Sequence, residues 1–388
     1  MERIILFSLL LLLPTQLAYH FWPQSSYVYG LRVDYLSPAI YLTDLLIFLL
    51  LPYIKKRLCL FLFPVLLFAL LNCIFAQTPA VALWKWVIVF KLLVLGLYFY
   101  SCDLKKLKKT VVSALSLSLI TVFIIGLAQF VLQKTIGGPL YYLGERNFTS
   151  LTPGISLMTV FGKSLMRAYS TFSHPNSFAG FVVVSFLILM SFKKQPFLYL
   201  ILILSLLITF SLNALVGILF VVFLFFVMKN NSKLVHKMKA VLVVFFISLS
   251  FAFGIFSTMF PKNNVLPKHY QERVVLAASA IKAFSVKPVF GVGLNNFFNV
   301  TKNNQPPHNV YLIIFSETGI VGTLIVFLLF SKLLKRKINQ YLLLAIFFMM
   351  ITGLFDHYWL TLQQNQLVLS VLLGLAARKE YSNNLYEK

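Results

Sequence analysis

Long apolar runs, separated by short basic clusters and by Pro, Gly and Asn turns, fill most of the 388-residue chain. Runs of about 20 residues with few charges are typical of transmembrane helices. Cutting the chain at these breaks predicts twelve spans, at residues 4–19, 36–53, 58–76, 81–100, 111–132, 177–192, 196–210, 212–228, 240–260, 309–330, 340–355 and 360–376. The pattern therefore predicts an all-α, polytopic membrane protein that forms a single integral membrane domain over residues 1–388.

The composition excludes most classes of soluble protein. The chain is 60% hydrophobic and 11% charged, whereas soluble domains have about 45–50% apolar and about 25% charged residues. Its net charge of +24 comes from clusters between apolar runs, as in cytoplasmic loops, so nucleic acid is not an expected partner. Cys59, Cys73 and Cys102 lie within or at the ends of apolar runs, and they predict neither a disulfide framework nor a CxxC metal site.

The distribution of basic residues predicts the orientation. With the N-terminus inside, inner segments carry 21 Lys and Arg residues and outer segments carry 11. This bias predicts a multi-pass protein of the cell inner (plasma) membrane with both termini cytoplasmic. The first run could instead be a signal peptide, but no small-residue cleavage site follows it, so we expect a retained helix.

Two long segments are then on the outer face, at residues 133–176 and 261–308, whereas every inner connection is short. We therefore expect any chemistry to take place outside. Each outer segment contains an apolar-rich stretch, at residues 155–169 and 274–284, which predicts a helix lying at the membrane interface.

Common cofactor motifs are missing from the sequence. It contains no GxxxxGK[ST] phosphate loop, no GxGxxG after a strand, no HExxH and no Asp-x-Asp pair. We therefore expect no cofactor, no catalytic metal, and no use of ATP or of a nucleotide-sugar donor.

Arginine is enriched on the outer face relative to lysine. Four of eight Arg residues are predicted to lie outside, namely Arg32, Arg146, Arg167 and Arg273, but only seven of 26 Lys residues. The planar guanidinium suits phosphate groups, although a solvated loop charge is the alternative for each. Lys163 and Arg167 would be i,i+4 neighbours on the first interfacial helix, a like-charge pair that is best tolerated around an anion.

Two outer histidines lie at predicted helix starts, His174 before the sixth span and His308 before the tenth. Ser173 or Asn176 is expected to cap the sixth span, and Pro175 is expected to open it. Helix N-termini attract anions, so both histidines are candidates for chemistry. The alternative for each is a cap or an interfacial residue.

Several strings within residues 167–322 together resemble the O-antigen ligase and O-antigen polymerase family. They are RAYSTFSHPNSFAG at 167–180, KPVFGVGLNNF at 287–297, PHNVYL at 307–312 and ETGIVG at 317–322. The resemblance implies about twelve spans and a metal-independent, inverting glycosyl transfer. The donor would be a polyprenyl-diphosphate-linked glycan, and the acceptor would be a sugar hydroxyl of a glycan or glycolipid at the membrane.

The resemblance also implies residue roles. Arg167 and Arg273 would hold the diphosphate, and His308 would lie at the reacting centre. Lys163 is a further candidate for the diphosphate, from its i,i+4 spacing to Arg167 and not from the resemblance. This chemistry is consistent with a lipid diphosphate as leaving group, which mainly requires cations and an acceptor of the hydroxyl proton. Supporting roles are assigned to a further set of residues: His174, Asn176, Gly291, Gly293, Asn309 and Glu317.

Some of these supporting residues have alternative interpretations. Gly291 and Gly293 would let a loop approach the substrate, or they form a plain turn. Glu317 follows His308 by about nine residues, roughly opposite it around a helix, so we expect it to bond Ser, Thr or backbone groups of a neighbouring helix. Asp356 and His357 are interpreted as a polar helix end.

The chain also departs from the family pattern in two places. It reads Ser211-Leu212-Asn213 where a Ser-Arg pair is common, and it lacks the loop tryptophan that usually follows the second arginine. Within the spans, Asp44 and Lys91 are expected to pair, because each charge alone is costly in lipid.

Two other functions remain open from the sequence. A polymerase of lipid-linked repeat units would change only the acceptor. A secondary transporter or lipid flippase would also have about twelve spans, but it would place its polar groups at the midplane and often has a long central cytoplasmic loop. Long outer loops argue against that class.

Overall fold

The computed structural model describes residues 1–55, 62–193, 195–230, 232–259 and 268–378, and helices dominate them. The helices are α1 (Glu2–Leu12), α2 (Leu42–Leu50), α3 (Phe63–Ile74), α4 (Pro79–Ser101), α5 (Leu104–Leu132), α6 (Pro175–Met190), α7 (Pro196–Thr209), α8 (Leu212–Asn230), α9 (Ser232–Met259), α10 (Lys268–Val286), α11 (Phe297–Thr301), α12 (Val310–Leu334), α13 (Gln340–Thr352), α14 (Tyr358–Thr361) and α15 (Gln363–Ala376). The strands are β1 (Ala18–His20), β2 (Tyr27–Val28), β3 (Leu31–Arg32), β4 (Ala39–Tyr41), β5 (Leu157–Val160) and β6 (Lys163–Met166). The all-α prediction is confirmed.

Five helical segments among these residues are long and apolar enough to cross a membrane: Pro79–Ser101, Leu104–Leu132, Leu212–Lys229, Val241–Met259 and Val310–Leu334. Five apolar segments are shorter: Leu42–Tyr53, Phe63–Ile74, Pro175–Met190, Pro196–Thr209 and Gln340–Thr352. The chain is thus a polytopic membrane protein by length and composition. Each predicted span overlaps a helix, but the total of twelve spans remains a prediction.

The first two predicted spans extend too far, because part of each run forms strands. Helix α1 ends at Leu12 and α2 begins at Leu42, whereas β1 and β4 between them pair antiparallel. A short apolar run of β-prone residues is compatible with either structure, so hydropathy alone does not separate them. Strands β2 and β3 form a second hairpin in this segment.

The predicted interfacial helix at residues 155–169 is wrong, because the segment forms the antiparallel hairpin β5–β6. Phe161 and Gly162 make its turn with positive φ angles, a conformation that suits hairpin turns and that a helix interior excludes. Lys163 and Arg167 are therefore not helical neighbours. Four residues along a strand span about 13 Å, which places Lys163 at the hairpin tip and away from Arg167.

The helix predicted at residues 274–284 is confirmed and lies within α10. It packs against α9 and α12. Residues 261–267 of the second outer segment lie outside the described residues, as do residues 58–61 of the third predicted span.

Helix α12 is broken at Gly319, where φ is +64° and ψ is −165°. A neighbouring loop satisfies the backbone groups freed by the break: Val292 N–H donates to Ser316 O at 3.0 Å, and Gly293 N–H donates to Glu317 O at 3.1 Å. A break in lipid is tolerated where neighbouring protein supplies such partners. The break therefore fixes this loop against α12.

Gly291 and Gly293 allow that contact rather than a close approach to substrate. A Cβ on Gly291 would lie 2.3 Å from the backbone carbon of Glu317, and one on Gly293 would lie 2.4 Å from Ala76 Cβ. Both have positive φ angles, of 73° and 96°. Their role in the loop is thus structural.

The buried centre of the bundle is α6, in which every residue from Pro175 to Met190 is buried. It is covered by α5, α7, α8, α13 and α15. Residues 363–366 at the start of α15 are four consecutive amides, all buried, and they hydrogen bond to the chain elsewhere. These bonds fix the end of α15 against the surrounding helices.

The predicted pairing of Asp44 with Lys91 is confirmed, with Lys91 Nζ 2.7 Å from Asp44 Oδ1. Asp44 lies in the first turn of α2 rather than in mid-helix, and it also accepts from the Tyr41 N–H at 3.1 Å. Gln363 Nε2 donates to the same carboxylate at 3.1 Å. The pair joins α2, α4 and α15.

Candidate active site

The site forms where the starts of α6 and α12 meet the connection between α13 and α14. His174 caps α6 by accepting the Asn176 N–H at Nδ1 (3.1 Å), and Pro175 occupies the first helical turn. The opening by Pro175 is confirmed, but the cap is His174 itself rather than Ser173 or Asn176. Asn309 caps α12 by accepting the Leu312 N–H at 3.0 Å.

Asn176 joins groups of opposite charge across the site. Its Oδ1 accepts from Arg167 Nη2 at 2.8 Å and from Ser211 Oγ at 3.0 Å, while its Nδ2 donates to Asp356 Oδ2 at 2.9 Å. The carboxamide is buried. Its oxygen only accepts hydrogen bonds and its nitrogen only donates them, so the donors on one side and the acceptor on the other fix its orientation. Arg167, Asn176 and Asp356 therefore form one chain of hydrogen bonds.

Arg167 is largely engaged by the protein. Its Nε donates to Thr209 O at 2.7 Å, and its Nη1 donates to Ser156 Oγ at 2.7 Å, in addition to the Nη2 bond to Asn176. Burial lowers the pKa of Arg167, but a guanidinium stays protonated near neutral pH. Three of its five N–H donors are thus used, and two are left for a ligand.

Asp356 is the buried anion at the centre of the site. Its Oδ1 accepts the His357 N–H at 2.8 Å and lies 3.9 Å from His308 Nδ1. Burial favours the neutral acid, but the imidazoles of His308, His357 and His174 outweigh it and hold the pKa of Asp356 well below its usual range. Asp356 is therefore a carboxylate at neutral pH.

His308 presents an unused imidazole next to that carboxylate. Its side chain is 25% exposed, yet its Nδ1 is buried and has no hydrogen-bond partner among the described residues. A separation of 3.9 Å from Asp356 is too long for a hydrogen bond, so a shift of about 1 Å would be needed to form one.

Two further imidazoles lie close by. The His357 ring is 4.9 Å from the His308 ring, and its Nδ1 lies 2.8 Å from Thr361 Oγ1. Burial lowers the pKa of His357 to about 3 and that of His174 to about 4. Both rings are thus neutral at physiological pH.

Tyr35 covers the site from the segment between α1 and α2. Its ring packs edge-on against His357 at 5.7 Å and stacks on Phe298 at 5.6 Å. Its carbonyl accepts from Asn295 Nδ2 at 2.8 Å. Burial raises the pKa of Tyr35 to about 12, so its hydroxyl remains protonated.

Arg273, on α10, is close enough for its charge to lower the pKa values of His174 and His357. Its guanidinium makes no hydrogen bond or ion pair with the residues that the structure describes. Arg146 acts in the same way on Tyr35 and Tyr169. The site therefore carries more than one cation, and Arg273, unlike Arg167, has no protein acceptor among the described residues.

The structure thus brings together five of the candidates named from the sequence, Arg167, Arg273, His174, Asn176 and His308. Lys163 is exposed at the hairpin tip and does not join them. Glu317 lies deeper, and the backbone N–H groups of Asn295 and Phe297 stabilise its carboxylate.

Asp356 and His357 are the site residues that sequence reasoning missed. Their interpretation as a polar helix end does not account for their position, since both are buried at the centre of the cluster. The available signal was an acidic residue next to a histidine between two apolar runs.

His308, Asp356 and His357 also offer one ligand atom each within 4.8 Å of one another, a group that could hold a metal ion. Metal ligands lie about 2 Å from the ion, so this group would have to contract around one. The charges on Arg167 and Arg273 oppose a divalent cation here.

Part of the chain that forms this site is similar to a known protein family. Residues 197–327 match the family model described as O-antigen ligase. Over these residues the chain is similar to the O-antigen ligase family. No curated protein and no solved structure matches the chain.

This match supports the family resemblance that the sequence motifs indicate. The matched segment covers about a third of the chain, from α7 into α12, and it contains Arg273 and His308. Arg167, Asn176 and Asp356 lie outside the matched segment but complete the same cluster in space.

Proposed function

We propose that this protein transfers a glycan from a polyprenyl-diphosphate carrier to an acceptor sugar hydroxyl on the predicted outer face. The observation that carries the proposal is the unpartnered Nδ1 of His308, 3.9 Å from the buried carboxylate of Asp356. The similarity of residues 197–327 to the O-antigen ligase family supports the class of donor and acceptor.

In this mechanism the acceptor oxygen attacks the anomeric carbon as the bond from that carbon to the diphosphate oxygen breaks. The bonding electron pair leaves with the diphosphate, and the hydroxyl proton passes to the imidazole of His308. Asp356 then faces an imidazolium, which its negative charge stabilises. A single displacement of this kind inverts the anomeric configuration, and it proceeds without a metal ion.

Arg273 is assigned to the leaving diphosphate, because its guanidinium is free of protein acceptors among the described residues. Charge-assisted bonds to a leaving group strengthen as its negative charge grows, so they favour the transition state. Arg167 contributes its two remaining N–H donors and also orients Asn176, which in turn holds Asp356.

The direct test uses purified protein, a synthetic polyprenyl-diphosphate glycan and an acceptor saccharide, without ATP and with a chelator present. We expect product with inverted anomeric configuration, detected by mass spectrometry and NMR. Absence of transfer by protein that binds the donor would overturn the proposal. Transfer that occurs only without the chelator would show that the reaction requires a metal ion.

Variants separate the histidines. A positioned base contributes about 10²–10⁴-fold in rate, so His308→Ala should lose about that much turnover while retaining donor affinity. Asp356→Asn should reduce turnover as well and shift the pH–rate profile, because the base loses its counter-charge. His174→Ala is the matched control, and it should cost less than His308→Ala. Normal turnover of His308→Ala would exclude it as the base.

A further inference from the structure

The segment between α1 and α2 has two faces of different character, set by the strand pairs β1–β4 and β2–β3. Successive side chains of a strand point to opposite faces. On one face, Tyr19 contacts Phe21 edge-on with 4.9 Å between the ring centres, and Ile40 pairs with Tyr19 across the strands. All three side chains are exposed. This surface, the Tyr19 face, is therefore apolar and aromatic, as is typical of segments at a membrane interface.

The opposite face combines aromatic rings with a cation. The His20 and Trp22 rings stack with 5.9 Å between their centres, and the Arg32 guanidinium carbon lies 3.5 Å from the centre of the Trp22 ring. Tyr27 is paired with Arg32 across β2 and β3, and directly paired residues lie on the same face of a strand pair. His20, Trp22, Tyr27 and Arg32 therefore form a second surface, the Arg32 face.

Two charges of this region are free to bind a ligand. Arg32 and Asp34 are exposed, and neither side chain makes a hydrogen bond or an ion pair with the residues that the structure describes. Burial lowers the pKa of His20, while Asp34 opposes this shift and Arg32 adds to it, so both charges lie near that ring. The indole of Trp22 holds the guanidinium and leaves its edge N–H groups free. Free N–H donors beside a free carboxylate suit hydroxyl groups, which both donate and accept, better than an anion, which Asp34 would repel.

Tyr35 connects the Arg32 face to the candidate active site. Three residues of chain span at most about 11 Å, so the Cα atoms of Arg32 and Tyr35 lie within that distance. The Tyr35 ring packs edge-on against His357, whose ring is 4.9 Å from that of His308. A saccharide whose reacting hydroxyl is at His308 therefore has the Arg32 face within reach of its next sugar residues.

We propose that the Arg32 face binds the part of the acceptor saccharide that does not react, with a sugar ring against Tyr27 and its hydroxyl groups at Arg32 and Asp34. The inference rests on the proposed function for the reacting end of the acceptor. A sugar presents C–H groups on the faces of its ring and hydroxyl groups at the edge, which matches an aromatic surface bordered by a few polar groups. Trp22 positions Arg32, and the Tyr19 face contacts the membrane instead of the glycan.

The first test is photo-crosslinking in the full-length protein in lipid nanodiscs, without any donor. A photoreactive phenylalanine analogue replaces Tyr27 on the Arg32 face or, as the matched control, Tyr19 on the opposite face. Both positions hold exposed tyrosines, at 40% and 69%. The probe is a biotin-labelled, lipid-free oligosaccharide released by mild acid from the envelope glycolipids of the cells that make the protein.

We expect the oligosaccharide to be captured at position 27 and phospholipid at position 19. Arg32→Gln should lower capture at position 27 about tenfold and leave phospholipid capture at position 19 unchanged. Equal phospholipid capture at both positions would overturn the inference and identify the whole segment as a membrane anchor. Oligosaccharide capture that is absent at position 27, or insensitive to Arg32→Gln, would also overturn it. Because no donor is present, the result is independent of glycan transfer.

The second test measures transfer to a trisaccharide and to a monosaccharide that carry the same reacting sugar, both prepared from that oligosaccharide. Arg32→Gln should raise KM for the trisaccharide about tenfold, but leave kcat and KM for the monosaccharide unchanged, because the monosaccharide reaches only His308. Lys134→Gln removes another exposed cation and should change neither KM value.

An unchanged KM for the trisaccharide, or an equal rise for both acceptors, would contradict a site beyond the reacting sugar. Because Arg32 is exposed, its replacement should leave the melting temperature unaltered, which separates lost binding from lost folding. Absence of transfer by the unaltered protein would refute the proposed function instead, and the crosslinking result would still decide whether the Arg32 face binds a saccharide.

Discussion

Asn176 connects the cation and the anion of the site through a single carboxamide. Its oxygen faces Arg167 and its nitrogen faces Asp356, so neither charge is buried without a hydrogen bond. In direct contact, the positive charge of Arg167 would offset more of the negative charge of Asp356. The carboxylate would then stabilise a protonated His308 less. The spacer thus leaves the carboxylate available to a protonated imidazole.

The two arginines are expected to respond differently to substitution by lysine. Arg273→Lys keeps the charge but loses the bidentate geometry, so KM for the donor should rise about tenfold or more while thermal stability is unchanged. Arg167→Lys removes bonds to Ser156, Thr209 and Asn176, and it should lower stability by about 2 kcal/mol. Donor KM and the melting temperature are measured for both. Full activity of both variants at normal stability would contradict these roles.

Acidification should destabilise the protein through His174 and His357. Their folded pKa values, about 4 and about 3, lie below the unfolded value of 6.5, so the unfolded chain binds more protons as the pH falls below 6.5. At pH 5 each neutral ring should cost about 2 kcal/mol. Melting temperatures between pH 7.5 and pH 5 test this, and His357→Asn should be less sensitive to pH than the unaltered protein. Identical slopes would refute it.

At the residue scale, the sequence was sufficient to place the start of α6 but not to choose its cap. Pro175 opens the helix as predicted, because its role depends on the local chain, whereas the cap is His174 instead of the usual Ser or Asn. Asp356 could not be identified in this way. Its importance depends on Asn176, which is 180 positions away, and on His308 across the site.

At the element scale, helices were predicted well wherever an apolar run was long, and poorly where strands interrupted it. The pattern of apolar and polar side chains over residues 157–166 is compatible with a helix or with two strands. The positive φ angles at Phe161 and Gly162 form a tight turn, so the segment is a hairpin. The Phe161 side chain at this turn is 101% exposed, so it makes no buried contact that sets the position of the turn. An apolar residue in the sequence therefore gave no sign of a turn here.

The pairing of α2 with α4 through Asp44 and Lys91 gives a prediction for these elements. Asp44→Asn or Lys91→Met alone leaves one charge without its partner in the bundle and should cost about 3–5 kcal/mol. The double variant removes both charges and should recover most of the folded yield. Size-exclusion chromatography and thermal unfolding in detergent compare the three. A double variant no better than the singles would exclude the ion pair as the cause.

For the whole molecule, the charge distribution predicts which face meets the cell exterior. Cysteines introduced at Gly138 and Asn304 should react with a membrane-impermeant thiol reagent in spheroplasts, because both are placed outside. A cysteine at Lys193 should react only after permeabilisation. Labelling of that residue in sealed cells would reverse the predicted orientation and move the candidate site to the cytoplasm.

The complete burial of α6 has a consequence for how the protein is synthesised. Helices α13 and α15 both cover α6. They are translated long after α6, because a chain is made from its N-terminus. During that interval lipid must surround the faces of α6 that these helices later occupy. An all-apolar stretch from Phe178 to Leu189, interrupted only by Gly180 and Ser185, tolerates both environments. The faces of α6 that α13 and α15 later cover are therefore compatible with lipid until those helices are made.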